Sequence, residues 1–480
     1  MSALTDRLRD IVGGGVPRLA PELRVPTNGE VDALARPGTS DEGPPVARSI
    51  ELGDASLARA ADVLGGSVST AATGAVIVVD RFYEASSLHG RTSIGEIADV
   101  LLEGEQALAV LTSTGPSRDL FSRAGALARS ESASPSEPLW FLDLETTGLA
   151  GGAGTQAFLV GCARLDAGGF RVRQFLLPGY EHERALLAQV SAWASAQGAI
   201  VTFNGKSFDV PLIETRYLFH RQRFPLEGRA HVDMLHPARR LWRARGEWEG
   251  SSEASCSLGT LEKLLAGVYR VGDVPGFEIP SRYFQFVRDG DARRLEAVLE
   301  HNRLDLVSLA LVMARALTLV ERGPAAAQSA YECFGLARIY DRAGRSNEAE
   351  ASYLQAIDRL GRVGRDPETL GDALRRLALC RRRAGRWAEA AGAWQQLADL
   401  PRCPAAFRQE AREALAIHHE HRVRDLDTAH AHAQQLMGEQ TSARRREAVA
   451  HRLRRLERKL ARNASSSRLW QEPDDLEPIA

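Results

Sequence analysis

Lysine is almost missing from this chain: of 61 basic residues only Lys206, Lys263 and Lys459 are lysine, so positive charge is written as arginine. A surplus of either charge is missing too. The net charge of −1 gives no global pull towards polyanions and leaves any such affinity to local patches. Cysteine is sparse. Cys162, Cys256, Cys333, Cys380 and Cys403 are odd in number and never spaced C-x-x-C, which argues against a disulfide framework or a zinc site and predicts a reduced, cytoplasmic protein. No signal peptide is expected, and the longest apolar stretch, within Leu306 to Val320, is too short for a bilayer and is broken by Arg315, so no membrane association is expected. Gly205-Lys206-Ser207 has the ending of a phosphate-binding Walker loop, but the glycine required five residues earlier is Ile200, which argues against a nucleoside triphosphate site.

What the chain does have is a set of acids in unusual settings. Trp140 to Glu145 is an apolar run broken by two carboxylates and closed by Thr146, Thr147 and Gly148, which predicts a buried strand ending in a turn. Side chains alternate along a strand, so Asp143 and Glu145 share one face while Leu142 and Leu144 share the other. Two carboxylates held together in an apolar setting repel each other and need a compensating cation, for which Mg²⁺ or Mn²⁺ suits oxygen donors best. A second strand is predicted over Ala199 to Phe203, followed by a turn at Asn204 and Gly205 and a helix capped by Ser207 and running to about Arg221. That helix carries Asp209 in its first turn, at the carboxyl end of a strand, where α/β sheets keep their sites. His301 and Asp305 stand one turn apart on an apolar helix and face the same way. An imidazole there has the right basicity to take a proton from water.

FLDLETTGL, then Asn204 to Phe208-Asp209, then HNRLD resembles the three-motif signature of the DEDD exonucleases, a branch of the ribonuclease H-like fold. The strings AGGAGTQAFLVG, FNGKSFDVP, HPARRLWR, DVPGFEIPSRYF and EHNRLD are similar to the bacterial YprB-type family of that fold, over roughly Pro138 to Val320. The resemblance implies an α/β ribonuclease H-like catalytic domain, with a mixed central sheet and flanking helices, over residues 136–322. It implies metal ligands Asp143, Glu145, Asp209 and Asp305 for two Mg²⁺ or Mn²⁺ ions, a two-metal hydrolysis of phosphodiesters, and 3′-to-5′ polarity. His301 falls in the general-base place of the tyrosine subclass, four residues before the last Asp, and Glu300 in that of the histidine subclass, five before it, so both stay open as the base. DNA is favoured over RNA as substrate, although the same site would serve an RNA-processing exonuclease. The family also points to a helicase or other repair protein as partner.

Contacts to the nucleic acid are expected around the site. Asn204 and Lys206 lie in the turn before Asp209, where Lys206 is either a point charge for a phosphate or an accident of composition. Arg239, Arg240, Arg243 and Arg245 surround Trp242 in a pattern suited to phosphates and stacked bases, and Tyr283, Phe284 and Phe286 form an aromatic cluster better read as core.

The remaining segments divide by composition. Residues 1–50 are proline-rich without periodicity and read as a disordered lead, 51–130 as an accessory α/β segment with a helix over Ser56 to Leu64 and a strand over Gly74 to Tyr83, and Ser130 to Pro138 as a linker. Residues 326–465 read as helices alone. AGRSNEAEASYLQAI and AGRWAEAAGAWQQL repeat one phrase, with a weaker third copy, so that Ala349, Ala390 and Ala429 recur at offsets of 41 and 39 residues. This resembles tetratricopeptide repeats with lengthened loops, a fold associated with protein partners. A basic helix from Ala443 to Arg462 would cap the array or, as the sharper alternative, touch nucleic acid, and 466–480 reads as a disordered tail. The competing account of the whole chain is a non-catalytic scaffold acting through its repeats; the presence of all four acids counts against it.

Overall fold

The computed structural model describes residues 53–112, 139–148, 154–194, 198–242, 256–439 and 442–469. The expected lead, the linker, Arg243 and Arg245 lie outside these residues.

The chain enters the described region as α1 (Asp54–Val63), then β1 (Ser67–Ala71) and β2 (Gly74–Glu84), a short hairpin β3 (Leu88–His89) and β4 (Thr92–Ser93), and helices α2 (Ile94–Glu103) and α3 (Glu105–Thr112). The chain continues with β5 (Trp140–Thr146), β6 (Ala157–Asp166), β7 (Gly169–Leu176), α4 (Glu183–Ala194), β8 (Ile200–Thr202), α5 (Asp209–Phe219), β9 (His231–Asp233), α6 (Leu235–Trp242), α7 (Leu258–Ala266), α8 (Ile279–Asp289) and the long α9 (Glu296–Arg322). Among the described residues these strands form a seven-stranded sheet in the order β1-β2-β7-β6-β5-β8-β9. The β5-β6-β7 meander is antiparallel, whereas β8 and β9 run parallel to β5, so the sheet is mixed. The accessory segment is part of this sheet: β2 pairs with β7 from Ile77↔Leu176 to Glu84↔Gly169 and extends it at one edge.

Alternation along β5 sorts its side chains between two cores. Trp140, Leu142 and Leu144 pack with Phe158, Cys162 and Phe175 against α1, α4 and α8, while Phe141 faces the opposite side with Phe170, Val172 and the apolar stripe of α9. Asp143 and Glu145 have the parity of Phe141, which aims them at α9. Tyr283 and Phe286 are fully buried, Tyr283 stacked on Phe158 with centroids 4.1 Å apart, as expected for core aromatics, whereas Phe284, on the other side of α8, is 41% exposed and is not core.

Beyond a 3₁₀ turn at Gly323–Ala326 the chain is helical: α10 (Ala330–Arg342), α11 (Ser346–Val363), α12 (Pro367–Arg383), α13 (Trp387–Ala398), α14 (Ala405–His418), α15 (Leu426–Glu439) and α16 (Ala443–Leu469). Gly344 and Gly385 take the same left-handed conformation between the helices of successive hairpins, and Ala349, Ala390 and Ala429 are all buried where the second helix of each meets the first. Helix α16 covers the end of the array, burying Leu456 against Ala416, Ala429 and Ala433 while Arg455 and Lys459 reach the buried Glu420. It continues to Leu469, past the boundary expected at 465; residues 470–480 lie outside the description. The all-helical region shares a core with the sheet, because Leu336, Tyr340 and Leu377 belong to the same apolar cluster as Phe141 and Leu309. The five cysteines are unpaired, and among the described residues no helix is long and apolar enough to cross a membrane.

Candidate active site

The four predicted acids come together. Strand β5 delivers Asp143 and Glu145, the first turn of α5 delivers Asp209, and α9 delivers Asp305 onto the face of the sheet at which the β5 pair points. Burial holds all four carboxyls above the ordinary range, and their neighbours push further. Asp143 is raised by burial and then by Asp305, Glu145 and Asp209; Glu145 by burial and then by Asp305 and Asp209. Asp209 is pushed up to about 7 by burial, tempered by hydrogen bonds from the backbone of Asp209 and Leu144. Asp305 is raised by burial in spite of Arg270 and His301 beside it.

Residues that the sequence did not single out hold these acids in place. Asn302, completely buried one turn before Leu306, donates from Nδ2 to Asp143 Oδ2 at 2.8 Å, and its own Oδ1 accepts from Gln174 Nε2 at 2.8 Å. Its amide fills the space above Gly161, the residue paired with Asp143 across β5 and β6: a β-carbon at position 161 would stand 2.1 Å from Asn302 Oδ1. Gly161→Ala is therefore expected to displace Asn302, cost about 1–3 kcal/mol of stability, and release Asp143 from its orienting bond. Thermal unfolding and hydrolysis assays on the variant check this; wild-type values in both would show that Asn302 does not set the position of Asp143.

Asp305 is held by a cation of the chain itself. Arg270 Nη2 lies 2.6 Å from Asp305 Oδ1, and Arg270 Nε donates to Glu262 Oε2 at 2.7 Å. Glu262 Oε1 in turn meets His89 Nε2 at 3.0 Å. His301 Nδ1 is 2.6 Å from Asp273 Oδ1, and its Nε2 is 3.7 Å from Asp305 Oδ2. Asp273 also raises the pKa of Glu145, so it is a fifth acid at this site. It stands in the string DVPGFEIPSRYF, which supplies the resemblance but no chemical reading. Glu300 is paired with Arg303 and its side chain is 48% exposed, against 19% for His301.

The loop before α5 is pinned from below. The backbone N–H groups of Asn204 and Lys206 donate to the two carboxylate oxygens of the buried Asp233, at 2.7 and 3.1 Å, and Asn204 sits at φ 69°. Ser207 does not cap α5: Phe208 is the capping residue and no side-chain cap forms, because the turn is closed by Asp233 instead. The Lys206 side chain is exposed above this turn. On α6, Arg239 is exposed and Arg240 half-buried. Trp242 between them and the helical region is no stacking platform: it is 7% exposed, packs in the core and donates from Nε1 to Glu332 at 2.8 Å.

Hard oxygen donors that raise one another's pKa are the chemistry a pair of divalent cations neutralises. As they stand, no three metal-ligating side chains among the described residues are close enough to enclose an ion. Like charges repel, and Asp305 is drawn to Arg270.

Residues 140–317 match the model of RNase_H_2, of the RNase_H superfamily. The chain is also 32% identical, over 329 residues, to the uncharacterized protein YprB of Bacillus subtilis (strain 168), an overlap covering 67% of this chain and 75% of that protein. The chain belongs to the YprB family. With that membership the ribonuclease H-like fold expected from the motifs is shown, and the superfamily domain points to hydrolysis of nucleic acid. The matched span contains Asp143, Glu145, Asp209 and Asp305 and ends before the helical array of this YprB-family chain.

Proposed function

We propose that this YprB-family chain is a metal-dependent 3′-to-5′ exonuclease hydrolysing phosphodiester bonds, acting on DNA in repair or processing. The observation that carries the proposal is the meeting of Asp143, Glu145, Asp209 and Asp305 from three separate elements on one face of the sheet. These four would hold Mg²⁺ or Mn²⁺ ions, which when bound supply Lewis-acid stabilisation of charge on the phosphate. The chain's own residues do the rest. Asn302 orients Asp143, and Arg270 orients Asp305. His301, held through Nδ1 by Asp273, presents Nε2 to accept the proton of the attacking water, and Asp273 stabilises the imidazolium that results. Exposed Phe208, Tyr269 and Phe277, on segments adjoining Asp209, Arg270 and Asp273, offer faces for unpaired bases. The helical array, read as tetratricopeptide-like, would dock a helicase or other repair protein that delivers unwound strand.

The test uses single-stranded DNA, duplex DNA and RNA labelled at either end, with Mn²⁺ or Mg²⁺. Release of the 3′ nucleotide first, from DNA faster than from RNA, is the expected result; endonucleolytic cuts or loss from the 5′ end overturn the polarity, and faster RNA turnover makes the enzyme an RNA exonuclease. For the base, His301→Ala is expected to reduce turnover by on the order of 10²-fold or more, Asp273→Asn by less and with an altered pH profile, and Glu300→Ala only slightly. The opposite ranking of His301→Ala and Glu300→Ala rejects the assignment.

A further inference from the structure

A cavity of about 430 Å³ opens where α6 leaves the sheet domain and meets α10, α12 and α14 of the helical array. Four arginines line it, Arg240 from α6, Arg338 from α10, and Arg375 and Arg376 from α12, with the carboxylates of Glu368 and Asp372 of α12 beside them. Two of the arginines are neutralised. Arg376 Nε is 3.0 Å from Asp372, and Arg375 Nε is 2.6 Å from Glu410. Arg240 and Arg338 hold no such ion pair with a described carboxylate. Both are half-buried, and both guanidinium pKa values are held down by burial and by neighbouring arginines, Arg342 and Arg338 acting on Arg240 and Arg376 on Arg338, where Asp372 offsets part of the effect. Half-buried cations that repel one another are a standing attraction for an anion.

The geometry that crowds them is built in. α6 approaches α10 at backbone distance through Gly335, where a β-carbon would stand 2.2 Å from the Arg240 carbonyl. The aromatic walls narrow the choice of anion. Arg338 Cζ lies 5.7 Å from the Phe334 ring centre and Arg375 Cζ 5.9 Å from that of Phe407, and both rings line the cavity. Forked guanidiniums suit phosphate oxygens, and ring faces suit a base. α6 begins beside Asp233, which pins the loop leading to Asp209, and is about 12 Å long, so the cavity lies one short helix from that loop.

We infer that this cavity binds a nucleotide of the substrate strand, phosphate on Arg240 and Arg338 and base against Phe334 or Phe407. The inference rests on the nuclease reading, and gives the helical array a part in holding nucleic acid.

The test is binding of a fluorescent oligothymidylate to the full chain in EDTA, where hydrolysis does not interfere. Arg240→Gln/Arg338→Gln is expected to weaken binding about tenfold or more and to flatten the salt dependence by about 0.7 for each phosphate no longer held. Arg362→Gln, on α11 and paired with Asp358, serves as the control and should bind as wild type. Competition by thymidine monophosphate would show that a free nucleotide also fills the cavity; its failure to compete would assign the cavity to phosphates linked in a strand. Photo-crosslinking of 5-iodouracil oligonucleotides to wild-type protein, mapped to peptides of α10 or α14, supports the placement independently of any folding defect in the variant. Wild-type affinity in a folded double variant, crosslinks only elsewhere, or preferential binding of polyglutamate through these arginines each overturns the inference. Hydrolysis that proceeds while the double variant binds normally ends the cavity's role alone, whereas a strand bound through the cavity but never cleaved by the metal-loaded wild type ends the nuclease reading alone.

Discussion

Asp143→Asn is expected to abolish hydrolysis, by on the order of 10³-fold or more, and at the same time to raise the melting temperature of the metal-free protein. The first effect follows from the loss of a ligand whose ions stabilise several kcal/mol of developing charge, at about 1.4 kcal/mol for each factor of ten. The second follows from electrostatics in the absence of ions. Asp143 is buried against three other acids, and Asn at this position keeps the shape and an acceptor for Asn302 while removing the charge. The pH dependence has a definite sign. In the unfolded chain these carboxyls lose their protons near pH 4, whereas in the folded state Asp209 keeps its proton to about pH 7 and Asp143 and Glu145 are raised as well. Between those values the native state binds more protons than the unfolded one, so stability of the metal-free wild type falls as pH rises, by up to about 1.4 kcal/mol per pH unit for each such group. Divalent ions should recover it, by about 2.7 kcal/mol at a hundredfold excess over the dissociation constant. Thermal unfolding from pH 4 to 8, with and without Mn²⁺, reads all of this. A variant that melts lower than wild type at pH 8 in EDTA, or that still hydrolyses, contradicts it.

The second large effect lies at the joint between sheet and helical array. Glu332, 3% exposed, accepts from Trp242 Nε1 at 2.8 Å, from Arg315 Nη2 at 3.0 Å and from the Gln328 N–H at 2.5 Å, so it ties α6 and α9 to the start of α10. Glu332→Ala leaves the Arg315 charge and the Trp242 donor buried without this partner, and a loss of about 3–5 kcal/mol is expected. Glu332→Gln, which retains an acceptor, should lose less. Urea unfolding of both variants measures the difference; a loss below about 0.5 kcal/mol for Glu332→Ala would mean that the joint is held by apolar packing alone.

Local pattern makes part of this molecule legible. The two acids of β5 are readable because a period of two puts them on one face by geometry, and His301 and Asp305 because a helix brings residues four apart together. The sheet edge is not: β2 pairs with β7 across more than eighty residues of chain, and no local period encodes a partner so distant. Arg270 and Asp273 escape notice because they lie in the loop between α7 and α8, where no periodicity assigns a direction, and only the folded chain places them against Asp305 and His301. Trp242 misleads for the opposite reason. An aromatic among arginines on a short helix looks like a binding surface until the buried carboxylate of Glu332, ninety residues on, is seen to accept its N–H. Ser207 misleads because a capping preference is weak beside the two backbone bonds that Asp233 takes from the same turn.

Asp143, Glu145, Asp209 and Asp305 are expected to act together on divalent cations. Calorimetric titration of the full chain with Mn²⁺ tests this most directly. Two ions per chain for the wild type, with affinity reduced about a hundredfold or more in a folded Asp143→Asn variant, a difference of about 2.7 kcal/mol, is the result predicted. No binding at millimolar Mn²⁺, or the same stoichiometry and affinity in the variant, would contradict it.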